Sequence, residues 1–250
     1  MNIRTVNASR GWYWLVSGMM IFRKSPGHWL LMMAVLYVAS RLVVALPFVG
    51  LIAVLVAPNI LAGLTHGAYA LASGKPLRFG YLASGFLKNP GPLVTVGGVS
   101  LIGHLIMLMV IAAMAGTAMS GIATTMSSGA VTPDTVTAMR AAAPRLLMSV
   151  IFGLIVSLPI ILAVWFAPLL VFFDNMRPVA AMLLSLRACI KNVLAMLVYG
   201  LAVLLPLMVM MQLATALTRQ PEIGIWLLAP ILVSSLFVSY QDLFAPDATA

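Results

Sequence analysis

Few side chains in this 250-residue chain are suited to chemistry, and those few are scattered through apolar sequence. His66 and His104 each stand inside a long hydrophobic run, and a pair of imidazoles can bind a metal or relay protons near neutral pH. A metal centre needs a third and a fourth ligand, and the runs offer neither a carboxylate nor a second cysteine. Polar contacts between helices are therefore the expected role of both histidines. Arg41 interrupts the first run. A cation at the bilayer centre costs about 2.5–3.5 kcal/mol on insertion scales, so such a residue is a functional candidate by default. Arg41 stands six residues before Pro47, close enough to the end of the run to snorkel to the headgroups. An anion or substrate contact is the competing reading. Asn59 follows Ala57-Pro58 and is placed to bond backbone that the proline leaves free. Asp174 closes another run in Phe172-Phe173-Asp174-Asn175-Met176-Arg177-Pro178, where a pair with Arg177 or Arg187 is expected.

Other chemistries find less support. Soft thioethers suit Cu(I), and the 18 methionines include Met107, Met109, Met114, Met119, Met208, Met210 and Met211. Their spacing repeats no ligand pattern, so they read as flexible apolar filler. The single cysteine, Cys189, excludes an intramolecular disulfide and a four-cysteine metal site. The five acids, Asp134, Asp174, Glu222, Asp242 and Asp247, are spread too widely to suggest paired carboxylates for acid–base work. Glycine-rich phosphate loops, zinc-protease helix motifs and nucleophile elbows are missing. The expectation is a protein that is not an enzyme and holds no cofactor and no metal.

The elements that must position these residues follow from composition. The chain is 63% hydrophobic and 8% charged, with a mean hydropathy of +1.11. A soluble domain is about a quarter charged, so most of this surface must face lipid. A span needs roughly 20 apolar residues. The stretch 29–71 holds two, and further runs lie at 91–116, 146–173, 193–213 and 224–240. The expected fold class is all-α, a polytopic transmembrane helical bundle of about six spans in a single membrane domain. The first 28 residues lack the apolar core and cleavage site of a secretory signal, so insertion through the first span is expected.

The charge of +9 is laid out in ones and twos between apolar runs, which argues against nucleic acid. Its asymmetry fits the positive-inside rule. With the N-terminus inside, the cytoplasmic segments carry Arg4, Arg10, Arg23, Lys24, Lys75, Arg78, Lys88, Arg177, Arg187 and Lys191. Arg41, Arg140, Arg145 and Arg219 fall outside. Six spans then return the C-terminus to the cytoplasm.

Three of the five Ala-Pro pairs, at Pro58, Pro168 and Pro230, interrupt long apolar runs on the three returning spans and suggest a repeated helical hairpin over 12–72, 79–178 and 179–242. Each hairpin follows a short segment with an interfacial look: 11–24, with Trp12, Tyr13 and Trp14 at headgroup level, then 79–89 and 179–192. The longest segment outside the spans is 116–145. There Thr132-Pro133-Asp134 reads as a helix start, for a short helix to Ala143 that ends before Pro144. Ala112, Gly116 and Ser120 offer a small-residue packing face.

Arg4-Thr5-Val6-x-Ala8-x-Arg10-Gly11-Trp12-x-Trp14, with Phe22-Arg23 and Pro26, resembles the opening of a proteobacterial family of uncharacterised inner-membrane proteins with six predicted spans. Ala167-Pro168 through Asp174, then Pro178, Ser185 and Asn192, is similar to that family's second half. More remotely, the hairpin layout is similar to the membrane portion of some bacterial glycerophosphodiester phosphodiesterases, without their catalytic domain. The resemblance implies a multi-pass protein of the bacterial inner membrane and transfers no functional residue. The expected partners are the lipid bilayer and no nucleic acid, with a homo-oligomer or a membrane-protein partner left open. Two functions follow from the residues: a non-enzymatic protein acting through lipid or protein contacts, or a transporter whose path runs between proline-kinked helices lined by Arg41, Asn59, His66 and His104.

Overall fold

The computed structural model describes residues 2–44, 49–126 and 133–244, with the side chains of 43, 44, 117–126, 133–135 and 138 left aside. Every regular element among them is helical. The chain order repeats one pattern three times, a short helix followed by a long pair. First come α1 (Arg10–Arg23), α2 (Pro26–Val44) and α3 (Val49–Ala72). Next are α4 (Gly80–Leu87), α5 (Pro90–Met126) and α6 (Pro133–Trp165), which continues into α7 (Ala167–Asp174). The last set is α8 (Pro178–Lys191), α9 (Val193–Thr218) and α10 (Glu222–Phe244). The three short segments expected from sequence are α1, α4 and α8. Among the described residues, five helical stretches are long and apolar enough to cross a membrane. The expected first span is α2, whose 19 residues end against positions 45–48, outside the described residues.

The chain divides into two compact units, Met1–Gly98 with Leu162–Ala250, and Val99–Ile161. In the first unit the returning helices form the interior. About 61% of the most apolar window of α10 is buried, against 11% for α9. Phe237, Leu243 and Phe244 of α10 are fully covered, as are Leu169, Leu170 and Val171 of α7. Large apolar side chains of α9 such as Leu201, Leu205 and Met208 point outward, as lipid-facing residues must. Pro58, Pro168 and Pro230 are all buried.

These three prolines act differently. Pro58 and Pro230 lie within unbroken helices, each removing one i→i−4 hydrogen bond. At Pro168 the chain breaks at Phe166, and α7 begins afresh with the proline in its first turn. Ser185 of α8 repairs that break. Its hydroxyl accepts from the Phe166 amide at 3.0 Å and donates to the Leu162 carbonyl at 2.7 Å. The two groups would have bonded each other in an intact helix.

The second unit is formed by the C-terminal part of α5 and the N-terminal part of α6. Added Cβ atoms would meet Ile160 at Gly103, and Ile111 and the Met107 backbone at Gly153, so these glycines set the approach. The small-residue face expected at Ala112 and Gly116 makes no close helix contact among the described residues: both are exposed, and a Cβ on Gly116 would meet nothing within 4 Å. The side chain of Ser120 lies outside the described residues. The expected break before Pro144 is also overturned. Helix α5 runs past Gly116 to Met126, and α6 starts at Pro133 and continues through Pro144 and Pro159. An interior proline costs one backbone bond, which apolar helices tolerate. The expected N-cap, Thr132, lies outside the described residues.

Candidate functional site

Hydrogen bonds gather one end of the first unit into a connected, basic platform. The Lys24 ammonium donates to the Leu71 carbonyl at 3.0 Å, tying the end of α1 to the end of α3. Asn89, between α4 and α5 with φ at +56°, donates to the Val171 carbonyl and to the Asn175 amide oxygen, each at 3.0 Å. Asn175 is itself left-handed, as the residue closing α7. The Tyr240 hydroxyl donates to the Asp174 carboxylate at 2.5 Å. The ten cations assigned to one side by sequence all lie on the short helices, the N-terminal arm and the turns of this end, with Asp174 and Asp242 as its described carboxylates.

The N-terminal arm is fastened here as well. The Arg4 amide donates to the Leu243 carbonyl at 3.0 Å. Asn192 clamps the arm from the α8–α9 junction: its amide oxygen accepts from Val6 at 2.8 Å and its nitrogen donates to the Arg4 carbonyl at 3.0 Å. Beyond the arm, Arg10 grips Asp242 with Nε at 2.8 Å and Nη2 at 2.7 Å, a bidentate pair. The Trp14 indole adds a third bond to that carboxylate at 2.8 Å. The hydrogen bond with Asp242 raises the Arg10 guanidinium above its ordinary value, against the lowering by burial. Its guanidinium lies 4.0 Å from the centre of the Tyr13 ring. Gly11 and Gly18 let α1 press directly on backbone, Gly11 against Ala195 and Tyr199, Gly18 against Ile231 and Ser235.

The residues expected to matter are dispersed. Arg41 sits at the opposite end of the first unit, 3.2 Å from Glu222 and half exposed, beside a 2.6 Å bond from Tyr37 to Gln220. Asn59 is fully buried, yet its bonds go to the Gly85 carbonyl at 2.9 Å and the Pro90 carbonyl at 3.4 Å rather than to backbone freed by Pro58. The reason is proximity: Gly85 packs directly on the Asn59 backbone. His66 is wrapped by Tyr69, Tyr81 and Phe172, with ring centroids 6.3, 4.8 and 5.4 Å away. Its Nδ1 is buried without a partner. His104 belongs to the second unit and bonds the Ser100 carbonyl of its own helix at 2.7 Å. Asp174 bonds Tyr240; among the described residues, neither Arg177 nor Arg187 lies within ion-pair distance of it. Among the described residues there is no group of three potential metal ligands.

Sequence reasoning missed the Arg10–Trp14–Asp242 cluster. Its members are 232 and 228 residues apart, and the only signal was the opening motif, which contains Arg10 and Trp14. Cys189 of α8 is buried, its thiol 3.7 Å from the Leu162 carbonyl of α6, and burial pushes its pKa up to about 12.

The fold and its long apolar helices define a polytopic helical membrane protein. The chain is distantly homologous to a probable inner membrane protein of Burkholderia thailandensis, with 25% identity over 195 residues covering 76% of this chain and 70% of that protein. No family model matches the chain, and no solved structure matches it.

Proposed function

We propose that this chain is a multi-pass inner-membrane protein with both termini in the cytoplasm, working without catalysis through contacts with lipid headgroups or a membrane-protein partner. The opening motif's likeness to six-span proteobacterial proteins agrees with that location. The observation behind this reading is where the polar side chains of the helices go. Arg41 pairs with Glu222, Asn59 bonds the backbone of Gly85, His104 bonds its own helix and Asp174 takes the Tyr240 hydroxyl. Each is bonded to a neighbouring element or its own helix, and none of these bonds is to another of the candidates.

One observation favours transport instead. Asn59 Oδ1 and His66 Nδ1 are buried without partners, and seven residues along a helix return to the same face. That face of α3 meets α4, because Gly63 packs on Tyr81 and Leu82 and the His66 ring lies against Tyr81. Reconstituted protein screened against a broad panel of ions and small solutes separates the readings. The expected outcome is no flux above protein-free vesicles. A solute-specific flux that falls in His66→Ala or Arg41→Ala overturns the non-transport reading.

A further inference from the structure

The platform holds one pocket that none of the established features uses. It is an open cavity of about 310 Å³ lined by residues 4–7, Ser9, Arg10 and Asp242. We propose that it binds a phosphate-bearing anion, the headgroup of an anionic phospholipid being the ligand its position favours. The wall is rich in donors: two guanidiniums, the hydroxyls of Thr5 and Ser9, and the Asn7 amide. Planar guanidiniums match phosphate oxygens in pairs. Among the described residues of the wall the acid is Asp242, engaged by Arg10 and Trp14 through three hydrogen bonds, so two guanidiniums stand against one carboxylate there. Those bonds use Nε and Nη2 of Arg10, so Nη1 takes no part in the pair. The floor is fixed before any ligand arrives, since Asn192 and Leu243 hold the arm and Tyr13 stacks on Arg10. A preformed site pays less ordering entropy on binding.

Position argues for a lipid. The pocket opens beside the first turn of α1, where Trp12 is 59% exposed and Tyr13 45%, residue types that settle at headgroup depth. Val16, Met19 and Met20 continue the same exposed apolar face. Around it, the ten cations of the platform meet two described carboxylates, a balance that draws anionic lipid to this end. This inference rests on the proposed reading of that end as the headgroup-facing side.

The test is native mass spectrometry of the detergent-solubilised full chain, titrated with phosphatidylglycerol, phosphatidylcholine and glycerol phosphate. Phosphatidylglycerol should be retained in preference to phosphatidylcholine. Arg4→Gln and Asn7→Asp should each weaken that retention about tenfold, equivalent to ~1.4 kcal/mol, while Lys191→Gln on α8 changes it less than about twofold, within the range of a surface charge. Asn7→Asp adds a carboxylate near the start of α1, where negative charge favours the helix, so its loss of lipid does not reflect unfolding. Competition by glycerol phosphate would identify the phosphate group itself as the ligand; its failure to compete would identify the lipid. Equal losses in Lys191→Gln and the two pocket variants, no effect of the pocket variants, or no preference over phosphatidylcholine would overturn the proposal. Any of those results leaves the non-transport reading in place, because flux alone decides it.

Discussion

A single hydroxyl, that of Ser185, stands where a helical hydrogen bond would have closed between Phe166 and Leu162. Phe166 and Ser185 are fully buried, so the Phe166 amide depends on this hydroxyl, while the Leu162 carbonyl also lies 3.7 Å from the Cys189 thiol. Leaving a buried donor or acceptor unsatisfied costs about 1–3 kcal/mol. Ser185→Ala should therefore lower the unfolding free energy by about 2 kcal/mol on that scale, read as an earlier midpoint in SDS or thermal unfolding. Ser84→Ala, removing a half-buried hydroxyl that bonds only within its own helix at Tyr81, should shift the midpoint far less. An unchanged midpoint for Ser185→Ala would mean that the chain closes the break without it. At this scale the sequence was least informative. Asp174 was expected to pair with an arginine close by in sequence and instead meets Tyr240, 66 residues on. Asp242, near the chain's end, turned out to anchor Arg10 and Trp14 from its start. A side chain's type shows that it wants a partner, while its choice is made by helices whose packing the linear order does not contain.

At the scale of elements the sequence was far more legible, because the signal there is hydropathy, which the chain carries directly. The apolar runs became helices, and the three short segments preceding the hairpins became α1, α4 and α8. What failed was punctuation by proline. Pro144 was read as a stop, yet α6 passes through it, whereas Pro168 does open a break. The local sequence looks alike in both; at Pro168 a neighbouring helix supplies the hydroxyl that makes the break affordable. Glycines along α1 were equally silent in the sequence and decide how closely it docks. At Gly18 a Cβ would lie 2.6 Å from the Ser235 amide nitrogen, while at Gly27 it would meet nothing within 4 Å. Gly18→Val should push α1 away from α10, destabilise the protein by about 1–3 kcal/mol as overpacking does, and expose Arg10 to trypsin. Gly27→Ala, inside α2, should be neutral or stabilise by about 0.5–1 kcal/mol through helix propensity. Comparable protease resistance in both variants would show that α1 is not held by the close approach at Gly18.

At the largest scale, the decisive quantity is the distribution of charge between the two ends of the first unit. The end carrying α1, α4 and α8 holds ten cations, and hydrogen bonds from Lys24, Asn89, Asn192, Arg10 and Tyr240 connect its turns, its arm and the last helix. The opposite end of the first unit has Arg41 and Arg219, with Arg41 partly offset by Glu222. Short loops rich in Lys and Arg stay in the cytoplasm, so the platform, the N-terminal arm and the end of α10 should face inward together. The Arg10–Asp242 pair gives an independent reason for both termini to share one side, since Arg10 opens α1 and Asp242 lies in the last turn of α10. A fluorescent protein that folds only in the cytoplasm should glow when fused after residue 244 or before Arg4. Single cysteines introduced at Lys75 and at Arg219 in a Cys189→Ala background should report opposite sides to a membrane-impermeant maleimide, with Arg219→Cys labelled in intact cells and Lys75→Cys only after permeabilisation. Labelling of both in intact cells, or a dark C-terminal fusion, would reverse or break the topology. Reversal would also place the proposed headgroup pocket on the other leaflet. The charge asymmetry therefore links the orientation of the protein to the lipid that its arm can reach.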